Sequence, residues 1–186
     1  HPEVDIKQYA FGRPLKEIVV QTTRLYSGLE LSVEAMNDLS YKETPIPDYN
    51  IHVSGGTEPL VVRKLLQQIG TDILRKHLGD DIFARAIVNQ IEQDFETAIK
   101  PTLAVITDLR FPNELETVQA YCDRACYECQ IVFIMRINKD SVSHNHSSES
   151  YYDQLITKTD LIIHNHGSLA ELKRNIKAVI LPQLTS

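Results

Sequence analysis

The run Thr102-Leu103-Ala104-Val105-Ile106-Thr107, followed at once by Asp108-Leu109-Arg110, decides how this chain is read. It is short, uncharged and largely β-branched or aliphatic, which predicts a strand buried on both faces. A second such run, Ile131-Val132-Phe133-Ile134-Met135, ends at Arg136, and a third, Leu161-Ile162-Ile163, comes later. Helical patterns separate them. Pro112 opens a helix to about Cys122, and Ser168 caps a last helix with apolar positions Leu169, Leu172, Ile176, Val179 and Ile180. Apolar strands alternating with helices predict an α/β fold, a parallel sheet covered on both faces in three α/β/α layers. Ligands of such sheets bind beyond the carboxyl ends of the strands. Asp108, Arg110 and Arg136 stand at those ends, so an aspartate and two arginines are expected at one rim. The same residues also fit a plain reading as surface groups at strand exits.

Toward the N-terminus, Val4–Phe11 alternates apolar and polar and reads as a strand. Pro14 opens a helix carrying Leu15, Ile18, Val19 and Leu25 at helical spacing. Residues 37–59 hold three prolines, two glycines and several Asn, Asp and Ser, which predicts an irregular, mobile loop. Helices are expected from Pro59 to Lys76 and from Asp80 to Ala98. In the first, Val62, Leu65, Leu66, Ile69 and Ile73 share one face, while Arg63, Gln67, Thr71 and Arg75 recur at i+4 as a separate stripe. Arginine can fork onto a phosphate, and glutamine offers donor and acceptor to a base edge. A solvated face would use the same residue types. Gly70, inside the helix, calls for a packing or ligand-approach reason, since an internal glycine costs about 1 kcal/mol.

At 186 residues the chain is long enough for a single domain with a substantial core. A formal net charge of -6 argues against a general binder of nucleic acid or anionic membrane, though not against a small anion held by local arginines. No apolar run approaches the roughly 18 residues of a membrane span, and no signal peptide is visible, so cytosol is the default location. Cys122, Cys126 and Cys129 have iron–sulfur-like spacing but sit late, before a core strand, without a nearby fourth ligand; free thiols fit better. His144-Asn145-His146 and His164-Asn165-His166 spell a nuclease name by coincidence. No direct protein-ligated metal is expected.

Arg63-x-Leu65-Leu66-Gln67-x-x-Gly70-Thr71-Asp72 resembles the R-x-L-L-Q-x-x-G-T-D signature of bacteriophage-type deoxynucleoside monophosphate kinases. Pro14-Leu15-Lys16, Asp108-Leu109-Arg110-Phe111-Pro112-Asn113-Glu114, His146-Ser147-Ser148-Glu149 and Asn165-x-Gly167-Ser168-Leu169-x-Glu171-Leu172 resemble further blocks of that family, in the same order. The resemblance implies an adenylate-kinase-like P-loop fold and transfer of the ATP γ-phosphoryl group to a deoxynucleoside monophosphate, with Mg²⁺. It implies that Arg63, Gln67 and Thr71 line the monophosphate site, aided by Lys16 and Glu114. Arg110 would hold the acceptor phosphate, and Asp108 would orient the acceptor or support Mg²⁺ through water. Arg136 and a 137–150 lid with His146 and Glu149 would close over the transferring phosphates. A homodimer in the host cytoplasm of a phage follows from the same likeness. The phosphomevalonate kinase type, with a similar chain end, is the nearest competing family.

One part of the pattern is missing. A P-loop reads G-x-x-x-x-G-K-[ST], its glycines letting backbone N–H groups approach the phosphates. The chain holds no Gly-Lys pair. In the family the loop precedes the strand at Val4–Phe11, and its strand lies mid-sheet, between those ending at Asp108 and Arg136. Without it two buried strand edges go unpaired, at about 1–3 kcal/mol for each unsatisfied backbone group. The expectation is therefore an N-terminal strand, P-loop and helix before His1; the rival is a degenerate, non-catalytic nucleotide-binding module.

Overall fold

The computed structural model describes residues 4–27, 29–135, 151–180 and 182. They fall in two compact units, His1–Leu109 and Arg110–Ser186.

In the first unit β1 (Asp5–Tyr9) lies parallel to β4 (Thr102–Ile106), with Asp5 opposite Thr102 and Tyr9 opposite Ile106. Helix α1 (Gly12–Ser27) leaves β1 and packs on α5 (Ile82–Glu96). Phe83, Ala84, Ile87, Val88 and Ile91 of α5 are buried, the i, i+4, i+8 stripe that drives an amphipathic helix onto a core.

Residues 37–59, expected as an irregular loop, hold regular secondary structure instead. A 3₁₀ turn (Ala35–Asn37) leads into the short helix α2 (Leu39–Lys42), capped by Asp38, whose carboxylate accepts the Tyr41 N–H at 3.0 Å. An antiparallel hairpin follows, β2 (Pro45–Val53) and β3 (Gly56–Val61). Gly55 turns it at φ 116°, a value costly for any side chain. The hairpin is tied down by burial: Ile46, Leu60 and Met36 join Val19 and Val62 in one cluster, with Leu15, Leu65, Leu66 and Ile69 packed against it. The helix expected from Pro59 begins at Val62, because Pro59 and Leu60 belong to β3.

That helix, α3 (Val62–Gln67), runs on through a π-helical stretch (Gln68–Arg75) into a last α-helical turn, α4 (Lys76–Leu78), and stops at Gly79 (φ 111°). Gly70 is buried there. A Cβ at 70 would lie 2.7 Å from Leu15 Cδ2, so the glycine lets α1 approach. Ile73, expected on the apolar face, is 53% exposed; widening to i→i+5 bonds rotates it off the stripe.

In the second unit α6 (Pro112–Ala125) buries Leu115 and Tyr121 and ends at Cys126, left-handed at φ 55°. The Tyr127 N–H then donates to the Cys122 carbonyl at 2.9 Å, a Schellman-type closure. Strand β5 (Val132–Met135) lies parallel to β6 (Leu161–His164), Val132 opposite Leu161 and Met135 opposite His164. A short helix, α7 (Tyr152–Ile156), precedes β6, and α8 (Leu169–Ile180) follows and packs on it.

Among the described residues β4 bonds only to β1 and β5 only to β6, so each pair keeps an unpaired edge. The expectation of strands buried on both faces is not met within either unit. Of the β4, β5 and β6 residues only Ile163 is fully buried, and Val105, Val132, Ile134 and Ile162 are exposed. No helix among the described residues is long and apolar enough to cross a membrane.

Candidate functional site

The residues singled out in the sequence divide into those that build backbone and those whose side chains are left for chemistry. Asp108 builds. Standing just past β4, its Oδ1 accepts the Phe11 N–H at 2.7 Å and its Oδ2 the Gly12 N–H at 3.1 Å. A carboxylate at the N-terminus of α1 satisfies donors that a helix leaves open and suits the positive end of the helix dipole. It fixes where α1 starts relative to β4. Glu114 builds as well. It is 3% exposed, and its Oε2 accepts the backbone N–H groups of Arg110 (3.0 Å) and Phe111 (3.1 Å) at the first turn of α6. Its own N–H donates to the Phe111 carbonyl at 3.1 Å. Sequence reasoning gave Glu114 to the substrate; its Oε2 is engaged with the backbone that carries Arg110.

The Asn165–Leu172 block is also a helix start. Glu171 Oε2 accepts the Ser168 N–H at 2.7 Å while Ser168 Oγ accepts the Glu171 N–H at 3.3 Å, the reciprocal pairing of a capping box. The Ser168 backbone N–H first, and then the Ser168 hydroxyl donating to Oε2 at 3.3 Å, hold the Glu171 carboxyl below the usual carboxylate range. A Cβ at Gly167 would fall 1.7 Å from Glu171 Oε2, so only glycine lets the box close. Asn165 Oδ1 is buried and meets no donor among the described residues.

The side chains left for chemistry are cationic or amide-bearing. Arg110 is exposed, and its guanidinium pairs with no carboxylate among the described residues. Gln67 and Thr71 are exposed on the helix that begins at Val62. Between them the helix passes from α to π. Arg63 pairs through Nε with Glu43 Oε1, and Lys16 Nζ donates to Asn37 Oδ1 at 2.5 Å. Both partners lie in residues 35–44, so one short segment meets both cations. Arg75, counted in the same stripe, stacks its guanidinium 5.3 Å from the Phe83 ring centroid. Arg136, His146, Glu149 and the 137–150 segment lie outside the described residues.

Among these residues Lys16, Arg63, Gln67, Thr71 and Asp108 belong to the first unit, Arg110 and Glu114 to the second. An open hollow of about 320 Å³ in the first unit is lined instead by Lys7, Tyr9, Arg13, Glu17 and Asp94. Its charges are mutually satisfied: Lys7–Asp94 at 3.2 Å, Arg13–Glu17 at 2.8 Å, and the Tyr9 hydroxyl donating to Asp94 at 2.7 Å. No local pattern announces it, because its groups come from three separate elements, β1, α1 and α5.

No group of three or more His, Cys, Asp or Glu able to hold a metal occurs among the described residues. Cys122 and Cys129 are half-buried thiols; burial, then the neighbouring Cys122, pushes Cys129 up to about 12.

A parallel α/β scaffold that spends carboxylates on helix starts and leaves an exposed arginine, Arg110, just past a strand is one suited to phosphorylated ligands. The family model described as deoxynucleotide monophosphate kinase matches residues 3–176, and the chain belongs to that family. Its parallel α/β architecture accords with the P-loop nucleoside monophosphate kinase fold. No curated protein matches the chain at a significant level.

Proposed function

We propose that the protein transfers the γ-phosphoryl group of ATP to a deoxynucleoside monophosphate, giving the diphosphate and ADP as precursors for DNA synthesis. The observation that carries this reading is Arg110: a guanidinium without a carboxylate partner among the described residues, just past β4, with its backbone N–H held by the buried Glu114. Phosphoryl transfer asks a protein for alignment and neutralisation of spread charge more than for covalent chemistry. Arg110 grips the acceptor phosphate, and Arg63 and Lys16 add charge on the acceptor side. Gln67 and Thr71 offer hydrogen bonds to the nucleoside. Arg136, with His146 and Glu149 of the 137–150 lid, closes over the phosphates and excludes water.

Both Asp108 oxygens already accept a backbone N–H, which fits an outer role toward Mg²⁺ through water and not a direct ligand. Mg²⁺ commonly keeps several waters and arrives on nucleotide phosphates, where it neutralises developing charge. The cytoplasm of a phage host and a homodimeric state belong to the same proposal.

The test is a panel of deoxynucleoside monophosphates with ATP and Mg²⁺, read as ADP release by the protein made from its complete reading frame. Turnover of at least one monophosphate is expected. Nucleotide binding without turnover on the whole panel would favour the non-catalytic module instead.

A further inference from the structure

Arg63 is met by Glu43 across 20 positions of sequence, a contact that no helical periodicity announces. Both ends are anchored. Glu43 closes α2, its N–H bonded to the Ser40 carbonyl at 3.1 Å, and the next residue's N–H bonds to the Tyr41 carbonyl at 3.1 Å. The Val62 N–H donates to the Thr44 carbonyl at 3.2 Å, tying the residue after Glu43 to the residue before Arg63. The two side chains thus leave backbone that is fixed mutually, so the pair needs little ordering to form.

A guanidinium can be taken from its Nε side or from its far end, and phosphate recognition by arginine is a matter of planar, forked geometry. Glu43 takes Nε. The Arg63 side chain remains 42% exposed. A carboxylate beside an anion site ordinarily repels the ligand; one already neutralised on Nε instead selects the rotamer that presents the rest of the guanidinium.

We propose that Glu43 is a positioning residue for Arg63, holding the guanidinium by Nε so that its far end receives the phosphate of the incoming monophosphate. The inference rests on Arg63 serving the acceptor site, as in the function proposed above. The α2 segment is then part of the acceptor machinery, although its own side chain touches no substrate.

The experiment compares wild type, Glu43→Ala, Glu43→Gln, Arg63→Ala and the Ala/Ala double variant, each full-length. Readouts are KM and kcat for the best monophosphate of the panel, and its Kd by calorimetry. Freeing one long side chain costs roughly 2- to 10-fold in binding. Glu43→Ala is therefore expected to raise KM and Kd by that factor with kcat nearly unchanged. Glu43→Gln, whose amide oxygen can still accept from Nε, should recover most of it, and Glu43→Ala should add nothing once Arg63 is alanine. A lowered KM in Glu43→Ala would mean that Glu43 competes with the phosphate, and overturns the inference. So does an unchanged KM in Glu43→Ala when Arg63→Ala is costly, which leaves the kinase reading intact. A wild type that turns over no monophosphate removes that reading, and this one with it.

Discussion

Glu114 gives the sharpest contrast between a residue that touches substrate and one that builds the site. Replacing it with alanine removes the acceptor of two backbone N–H groups, those of Arg110 and Phe111, from a position 3% exposed. Hydrogen bonds to a charged group contribute about 1.5–3 kcal/mol each when buried. These two lie at a part-buried helix start where water can replace some of the loss, and capping substitutions cost about 0.5–2 kcal/mol. The expected destabilisation is therefore about 2–4 kcal/mol, a large part of the roughly 5–15 kcal/mol of a typical domain. With a urea slope of about 2 kcal/mol per molar, the middle of the usual range, the midpoint should fall by about 1–2 M, followed by far-UV circular dichroism. Glu114→Gln keeps one acceptor oxygen and should lose about half as much. Under conditions where the alanine variant stays folded, monophosphate KM should rise only modestly, through loosening of the backbone that carries Arg110, and the loss of stability should be the larger effect. An unmoved midpoint together with a KM raised tenfold would refute the capping role and return Glu114 to the substrate.

Arg110→Ala should lower kcat/KM by roughly 10²–10³-fold, the scale of losing one charge-stabilising donor, without moving the urea midpoint; near-normal turnover would refute its assigned role. Gly70→Ala forces a Cβ to 2.7 Å from Leu15 Cδ2 and should destabilise by about 1 kcal/mol or more. In a Leu15→Ala background the same change should become neutral or stabilising, because alanine is the better helix former; destabilisation in both would mean that Leu15 is not the obstacle. The Tyr9 hydroxyl, then Lys7, holds Asp94 below its ordinary 3.8. A carboxyl depressed in the folded state contributes fully above 3.8 and loses that contribution as pH falls through the folded value. Tyr9→Phe should accordingly be less stable than wild type at neutral pH, with the gap narrowing below 3.8 in a pH series of urea melts. Alkylation at pH 8 followed by peptide mass mapping should label exposed Cys126 well before Cys129, whose thiol is pushed up to about 12; equal labelling would contradict the burial of Cys129.

The strands β4, β5 and β6 were legible because uncharged apolar runs have few other uses, β1 because Val4–Phe11 alternates apolar and polar, α1 and α8 because their apolar positions keep helical spacing, and α6 because Pro112 marks its start. The β2–β3 hairpin was not. Pro45, Pro47 and Pro59 read as breakers, yet a two-stranded hairpin has only edge strands, where a missing N–H is tolerated. The π-helical stretch was illegible because a 3.6-residue template cannot register a wider turn, and Ile73 was misplaced for that reason. For the site, residue types were readable and partners were not. Asp108 announced itself by standing after a strand, but its donors at Phe11 and Gly12 lie 97 and 96 positions away. Glu114 sits three residues after Phe111, the spacing of a cap, and that local signal announces its bonds to the start of α6.

The open edges of β4 and β5 bear on how the polypeptide behaves in a tube. Thr102–Ile106 and Ile131–Met135 carry no charge, proline or glycine, and each runs along a strand with an edge that no strand among the described residues takes. Such windows are where another copy can add backbone to backbone, the first step of cross-β assembly. Preparations in which no further strand covers these edges should therefore lose material to aggregates with a steep concentration dependence. A lysine placed at Val105 or Ile134, both already exposed, is the substitution best suited to suppress it.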